Sequence, residues 1–355
     1  MTGPAENAAD DLVARMPKAE LHLHLDGSMR PATALELARG RGLADRRASV
    51  DSMRRRLVAP RRCADQAELL RAFDLPIALL QDEEALERAA RELVVDVATD
   101  GTRYVEVRWA PALHTTRGLT LDGVIAAVVG GTTRGAGEAG ITARLIVTAM
   151  RSHPPSRNLA VAEAAARARS GGVVGFDLAG PEAAYPDPLA HRRAFDAAAA
   201  GGLRLTVHAG EWGGADQVRA ALGLRPERIA HGAAAIEDPS LLAELIARGI
   251  TLDLCPTSNV QAGLYPSVAT HPLRALVRTG TPVTLSTDDR TVSSLTLVTE
   301  YRRALRQARL TPTELWRVDR HALEVAFADE ETLAPLRAAF DTWARTEPVL
   351  LRPSG

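Results

Sequence analysis

Residues suited to metal binding and proton transfer recur at the ends of short apolar runs in this 355-residue chain. His22 and His24 alternate with leucine in LHLHLDG (21–27), and His208 and Glu211 stand in HAGE (208–211). His231 sits in RIAHG (228–232), and Asp288 and Asp289 end LSTDD (285–289). In a strand, residues i and i+2 share a face, so the two imidazoles of His22 and His24 point one way and the flanking leucines the other. Two neutral imidazoles on one face make half of a zinc or iron site. An isolated HxH is more often a buried polar pair. His208 and Asp288 change that balance, because three imidazoles and a carboxylate form an N3O set with room for one water. Four inward ionisable groups are costly without an ion. Such a set activates water near neutral pH. Glu211 and His231 are then candidate proton-transfer groups, and Asp289 is a second carboxylate beside the ligand. The other five histidines, His114, His153, His191, His271 and His321, fall in helical or loop stretches with no shared position.

The elements that must position these groups are short β-branched runs alternating with Ala/Leu/Arg stretches of helical periodicity. Strands are expected at 19–27, 102–110, 142–150, 173–180, 203–210, 228–232, 251–258 and 282–289. Amphipathic helices lie between them, as in DPLAHRRAFDAAAA (187–200) and DPSLLAELIARG (238–249). This alternation implies a parallel sheet with right-handed crossovers, and eight such strands imply an α/β fold of the (β/α)8 TIM barrel type. Barrel sites form at the C-terminal ends of the strands, where the polar residues gather. A doubly wound open sheet is the alternative, but its GxGxxG turn after the first strand is absent. Two stretches exceed what a plain barrel needs. Residues 30–100 read as a helical insertion after strand 1 covering the mouth, and 293–350 as extra C-terminal helices closing the outside. No linker divides the chain, so 1–355 reads as one barrel domain.

Composition excludes several other functions. With 43 Lys+Arg against 44 Asp+Glu, the net charge of −1 leaves no basic excess for nucleic acid. The two cysteines, Cys63 and Cys255, cannot make a disulfide framework. No signal peptide or membrane span is read, so a soluble cytoplasmic protein is expected. Among the 43 basic residues Lys18 is the only lysine, and it precedes the first strand, at the end away from the chemistry. A binuclear centre bridged by a carbamylated lysine is therefore excluded.

PKAELHLHLDGS (17–28), GFDLAG (175–180), HAGE, RIAHG, CPTSN (255–259) and LSTDD, in this order, resemble the adenosine deaminase family of the amidohydrolase superfamily. The resemblance implies that His22, His24, His208 and Asp288 bind one Zn²⁺. It implies that Glu211 shares a proton with purine N1 and that His231 orients and deprotonates the attacking water. It implies further that Asp289 bonds N7, that the Gly180 N–H meets N3, and that His24 and Asp26 border the substrate. Asp26 stands where a contact to the ribose 5′-hydroxyl is implied, and where relatives acting on free adenine tend to carry Glu. Leu69, Leu70 and Phe73 correspond to an apolar gate over the purine. The implied activity is hydrolytic deamination of adenosine and 2′-deoxyadenosine. The alternative is another 6-aminopurine, either adenine or a modified nucleoside such as 6-aminodeoxyfutalosine. Three positions depart from the pattern: Ser286 for Asn, Arg290 for Pro, and Ala230 for Gly. Arg290 beside the mouth is expected to favour a larger or more anionic nucleoside, and Ala230 to be harmless.

Overall fold

The computed structural model describes residues 4–350. Eight parallel strands follow one another around a nearly closed barrel in chain order. They are β1 (Lys18–His24), β2 (Thr102–Trp109), β3 (Thr142–Met150), β4 (Val173–Ala179), β5 (Arg204–Ala209), β6 (Arg228–His231), β7 (Thr251–Leu254) and β8 (Val283–Leu285). Helices cross between successive strands, so the (β/α)8 reading stands and the open sheet does not: the first strand meets the last. The seventh strand stops short of its expected end because Pro256 has no N–H and instead opens the helix Pro256–Gln261. The eighth gives way after Leu285 to irregular backbone, in which Asp288 takes a left-handed φ of 66°.

No regular ladder closes the ring. A single bridge pairs Leu23 with Asp288, with the His24 N–H on the Asp288 carbonyl at 2.8 Å and the Asp288 N–H on the His22 carbonyl at 3.0 Å. Side chains supply the remaining bonds at this seam. Ser286 Oγ accepts the N–H groups of Leu21 and His22 at 3.3 and 3.2 Å. Glu20 Oε1 accepts both the N–H and the hydroxyl of Thr287. The Ser286 departure from the family pattern is thus a hydroxyl tying β8 to β1.

The outward faces of the strands carry the apolar residues, such as Leu21, Leu23, Val105, Val107 and Trp109, which the helix layer buries. The inward positions are unusually polar. Glu106, Arg108, Asp177, Arg228 and Asp253 are all at most 1% exposed in their side chains, and their charges alternate in a column. Arg228 bonds Glu106 and, at 3.1 Å, Asp253. Arg108 lies 3.5 Å from Asp253 and 3.4 Å from Asp177. At the floor, the Arg228 guanidinium stacks 3.7 Å from the centre of the Phe327 ring, which the chain after helix Pro312–Val325 tucks beneath the barrel. Ala230 is buried among these inward positions.

The segment from 30 to 100 divides in two. Helix Glu83–Ala98 lies against the flank of the barrel as the β1-to-β2 crossover, with helix Pro31–Gly40 tied to it through Arg30–Asp96 and Thr33–Glu92. Only the stretch from Gln66–Leu70 through Asp74–Leu79 contributes to the mouth. After β8, helices Leu297–Arg306, Pro312–Val325 and Glu330–Ala344 pack on the outside and under the floor, as expected. Helix Pro4–Arg15 before β1 has no counterpart in the sequence reading. Among the described residues no helix is long and apolar enough to cross a membrane.

Candidate active site

Four donor atoms converge at the C-terminal mouth of the barrel. His22 Nε2 lies 3.0 Å and His24 Nε2 3.3 Å from Asp288 Oδ1. His24 Nε2 is 3.3 Å from His22 Nε2 and 3.1 Å from His208 Nε2. Ligands about 2.0–2.1 Å from a tetrahedral zinc lie roughly 3.3 Å apart. The cluster therefore has the edge lengths of a single-ion cage, and burial holds His22 below its ordinary pKa and His208 down to about 4, so both imidazoles are neutral donors. His231 is also near, with donor atoms of His22, His208, His231 and Asp288 all within 4.8 Å of one another. Its Nε2 faces Glu211 Oε1 at 3.7 Å and Asp288 Oδ2 at 3.9 Å, outside bonding range of the cage.

Two of the four donors, His208 and Asp288, are oriented from behind. The Asp177 carboxylate lies 2.9 Å from His208 Nδ1, placing the proton there and the lone pair on Nε2. Burial alone would raise the Asp177 pKa, but His208 and Arg108 hold it below the usual carboxylate range. Asp288 Oδ2 accepts the Ser258 hydroxyl at 2.6 Å. His231 and Asp288 both hold left-handed backbones, φ 65° and 66°. Such conformations cost about 1–3 kcal/mol each for non-glycine residues.

The proton position on His231 follows from a chain anchored on a backbone amide. The Leu273 N–H donates to His271 Nδ1 at 3.1 Å, so neutral His271 carries its proton on Nε2. That proton goes to Asn259 Oδ1 at 3.1 Å. The Asn259 amide NH2 then donates to His231 Nδ1, also at 3.1 Å. Burial holds His271 down to about 3 and His231 below its ordinary value, so both stay neutral. His231 therefore presents Nε2–H to the site. His271, which the sequence placed with the unrelated histidines, belongs to this chain. Asn259→Leu removes the constraint. We expect kcat to fall about 10²-fold and the His231 ¹⁵N shifts to lose the Nε2–H pattern; an Nδ1–H tautomer in the unmodified protein would contradict the assignment.

Glu211 points into the mouth because its loop is held by another carboxylate. Buried Glu182 accepts the N–H groups of Gly210, Trp212 and Gly213 at 2.7–2.8 Å. Burial, with Asp288 and Glu182 nearby, pushes Glu211 well above the usual carboxyl range, so it stands as an acid. Asp289 is pushed up likewise by burial and by Asp288 and Asp26. Its Oδ1 is buried with no partner. Gly27 packs on this carboxyl so closely that an added Cβ would sit 1.6 Å from Oδ1. Gly27→Ala should thus displace Asp289 and lower kcat/KM about 10²-fold with the fold intact by circular dichroism; unaltered kinetics would show that Asp289 needs no fixed position.

The donors open into a cavity of about 240 Å³. Asp26, Leu69, Leu70, Phe73, Gly180 and Trp212 are among its walls, together with His24, Glu211, His231, Asp288 and Asp289. Gly180, at φ 106°, makes the turn that brings backbone to the wall. Leu69 and Phe73 pack with Cys63, Val292 and Trp212 in a small cluster separate from the main core. All the site residues expected from the sequence thus border one cavity or its donor cage. Arg290 does not. It turns away to pair with Asp100 at 2.7 Å, its side chain only 10% exposed, so it cannot select an anionic nucleoside at the mouth. Glu182, Gly27, Ser258, Asn259 and His271 were missed, and Asp177 was read only as one of the polar residues at the strand ends, with no role. For Asp177 a signal existed, a lone carboxylate at an inward position of the GFDLAG strand.

A sequence model of the adenosine deaminase family matches residues 17–343. The chain is similar to the adenosine deaminase of Vibrio vulnificus, 36% identical over 327 residues that cover 89% of this chain and 95% of the relative. Among solved structures it resembles the adenine deaminase of Arthrobacter aurescens, with TM-score 0.85, 26% identity, and 93% and 99% of the two chains covered. It also resembles an Arabidopsis N6-mAMP deaminase, with TM-score 0.82, 29% identity, and 94% and 99% covered.

Proposed function

The chain belongs to the adenosine deaminase family, and from that premise we propose that it hydrolyses adenosine and 2′-deoxyadenosine to their inosine products and ammonia. One observation carries the choice of substrate. The cavity sets a protonated carboxyl, Glu211, beside the donor cage and Asp26 on its wall, and none of its lining residues is Lys or Arg.

His22, His24, His208 and Asp288 would hold the metal, for which three imidazoles and a carboxylate at these spacings suit zinc. When bound, the ion supplies the Lewis acidity that makes water nucleophilic near neutral pH. The chain's own residues do the rest. Glu211 gives its proton to purine N1, which makes C6 electron-poor. Asp289 donates to N7 and the Gly180 N–H to N3, fixing the ring. His231, carrying its proton on Nε2, bonds the attacking oxygen as a donor. This differs from the role of resting base that the family resemblance implied, since Nδ1 is already taken by Asn259. Water adds to C6 as one of its protons passes to the Glu211 carboxylate left by protonation of N1; its other proton passes to the amino group, the C6–N6 bond breaks, the C6 carbonyl forms and ammonia leaves. Leu69, Leu70, Phe73 and Trp212 cover the purine and exclude bulk water.

The ribose end discriminates among 6-aminopurines. Asp26 accepts a 5′-hydroxyl, whereas a 5′-phosphate would meet the carboxylates of Asp26 and Asp74 with no cation to offset them. Like charges so placed cost several kcal/mol, about 10³-fold or more in kcat/KM for AMP against adenosine. Free adenine forfeits the Asp26 contact. A panel of adenosine, 2′-deoxyadenosine, adenine and AMP, followed by ammonia release, tests the reading. The nucleosides should rank highest, and a higher kcat/KM for adenine or AMP would overturn it.

A further inference from the structure

We propose that the opposite end of the barrel binds a phosphorylated small molecule of nucleotide size. Between the starts of β3, β4 and β5, helix Leu121–Ala139 and helix Glu330–Ala344 lies a cavity of about 1080 Å³. It is large enough for a drug-sized ligand and sits on the face away from the mouth. Three arginines, Arg144, Arg169 and Arg204, line it against one carboxylate, Asp329.

The state of these groups points to an anion. Arg204 is paired with Glu227, but Arg144 and Arg169 are in no ion pair among the described residues. Arg144 gives Nη1 to the Ala143 carbonyl and Nη2 to Thr332 Oγ1, each at 3.0 Å, and Arg169 gives Nε to the Gly202 carbonyl at 3.2 Å. Both guanidinium groups therefore retain N–H donors, and the two cations share one nearby carboxylate, Asp329. Asp329 is engaged in capping helix Glu330–Ala344 through the Thr332 N–H. A second feature points the same way: Thr132, 4% exposed, lines the cavity with a buried hydroxyl that has no partner. Guanidinium forks match phosphate oxygens bidentately. Ala136, Ile141 and Leu336, each partly exposed on the wall, give an apolar surface for a planar group. A phosphate alone would use the arginines and leave that surface bare, so a phosphate joined to a ring system fits the cavity better.

Titration calorimetry of the metal-loaded full chain with AMP, and separately with inorganic phosphate, tests the proposal. AMP should bind, more tightly than phosphate, and saturating inosine should not displace it. Arg144→Ala with Arg169→Ala should weaken AMP binding about tenfold or more while kcat/KM for adenosine stays unchanged. Arg169→Ala alone, at an exposed position, should weaken it in part and guards against a folding defect in the pair. No binding of either probe at millimolar concentration overturns the proposal, as does AMP binding unaffected by the arginine substitutions or abolished by inosine. Phosphate binding as tightly as AMP would overturn the assignment to a nucleotide-sized ligand.

Discussion

Glu211→Gln lowers kcat/KM for adenosine by about 10²–10⁴-fold, with kcat carrying the loss, while metal content and melting behaviour stay at their unmodified values. Gln keeps the size of Glu and can donate an N–H to a ring nitrogen. It cannot give up a proton to N1, so the ring never becomes electron-poor at C6. The native carboxyl is suited to this step because burial and the nearby Asp288 and Glu182 keep it protonated where a free carboxyl would be ionised. Metal analysis separates this effect from a damaged cage, since Glu211 lies outside the four donors. Turnover within tenfold of the unmodified enzyme would remove Glu211 from the role of acid.

Arg228→Met costs about 3–5 kcal/mol of folding stability, read as a lower urea midpoint. Methionine fills much of the arginine's volume, so the loss is electrical rather than steric. It leaves Glu106 and Asp253 as buried carboxylates without the cation that both of them meet. Lysine would not restore the site, because one ammonium cannot repeat the planar fork that spans two carboxylates and stacks on Phe327. Exchanging Glu106, Arg228 and Asp253 together for apolar residues should recover much of the loss, as buried charges removed as a set often do. A midpoint unmoved by Arg228→Met would mean that water reaches the column.

The sequence carried the barrel and most of its mouth because both are written locally. Alternation of His with Leu in β1 assigns faces without knowledge of any partner, and strand ends are marked by Gly, Pro and paired acids. The interior column was legible by the same parity and went unread: Glu106 and Arg108 alternate with Val105 and Val107 just as His22 and His24 do with leucines. Parity says which way a charge points. It does not say which charge it meets. Arg228 and Glu106 are 122 positions apart, and Arg290 and Asp100 190 apart, so their pairing depends on the register of the closed barrel. That is why Arg290 was assigned to the mouth. The Asn259–His271 chain was hidden for a related reason, since neither residue faces the cavity and only the fold brings their side chains into line with His231.

The seam between β8 and β1 has a consequence for how the protein is born. The backbone bonds that shut the ring run between His22, His24 and Asp288, the residues whose side chains form three corners of the ion cage. Ser286 and His22, joined at that seam, are 264 positions apart. A ribosome delivers the first two imidazoles near the start of its work and the carboxylate near the end. Contacts so distant in sequence form late, after the loop entropy between them has been overcome. On the nascent chain an ion meets only fragments of its cage, and the full donor set comes into being when the barrel shuts. The donor set is therefore complete only once the barrel has shut, and an ion held there would act as a clasp against reopening.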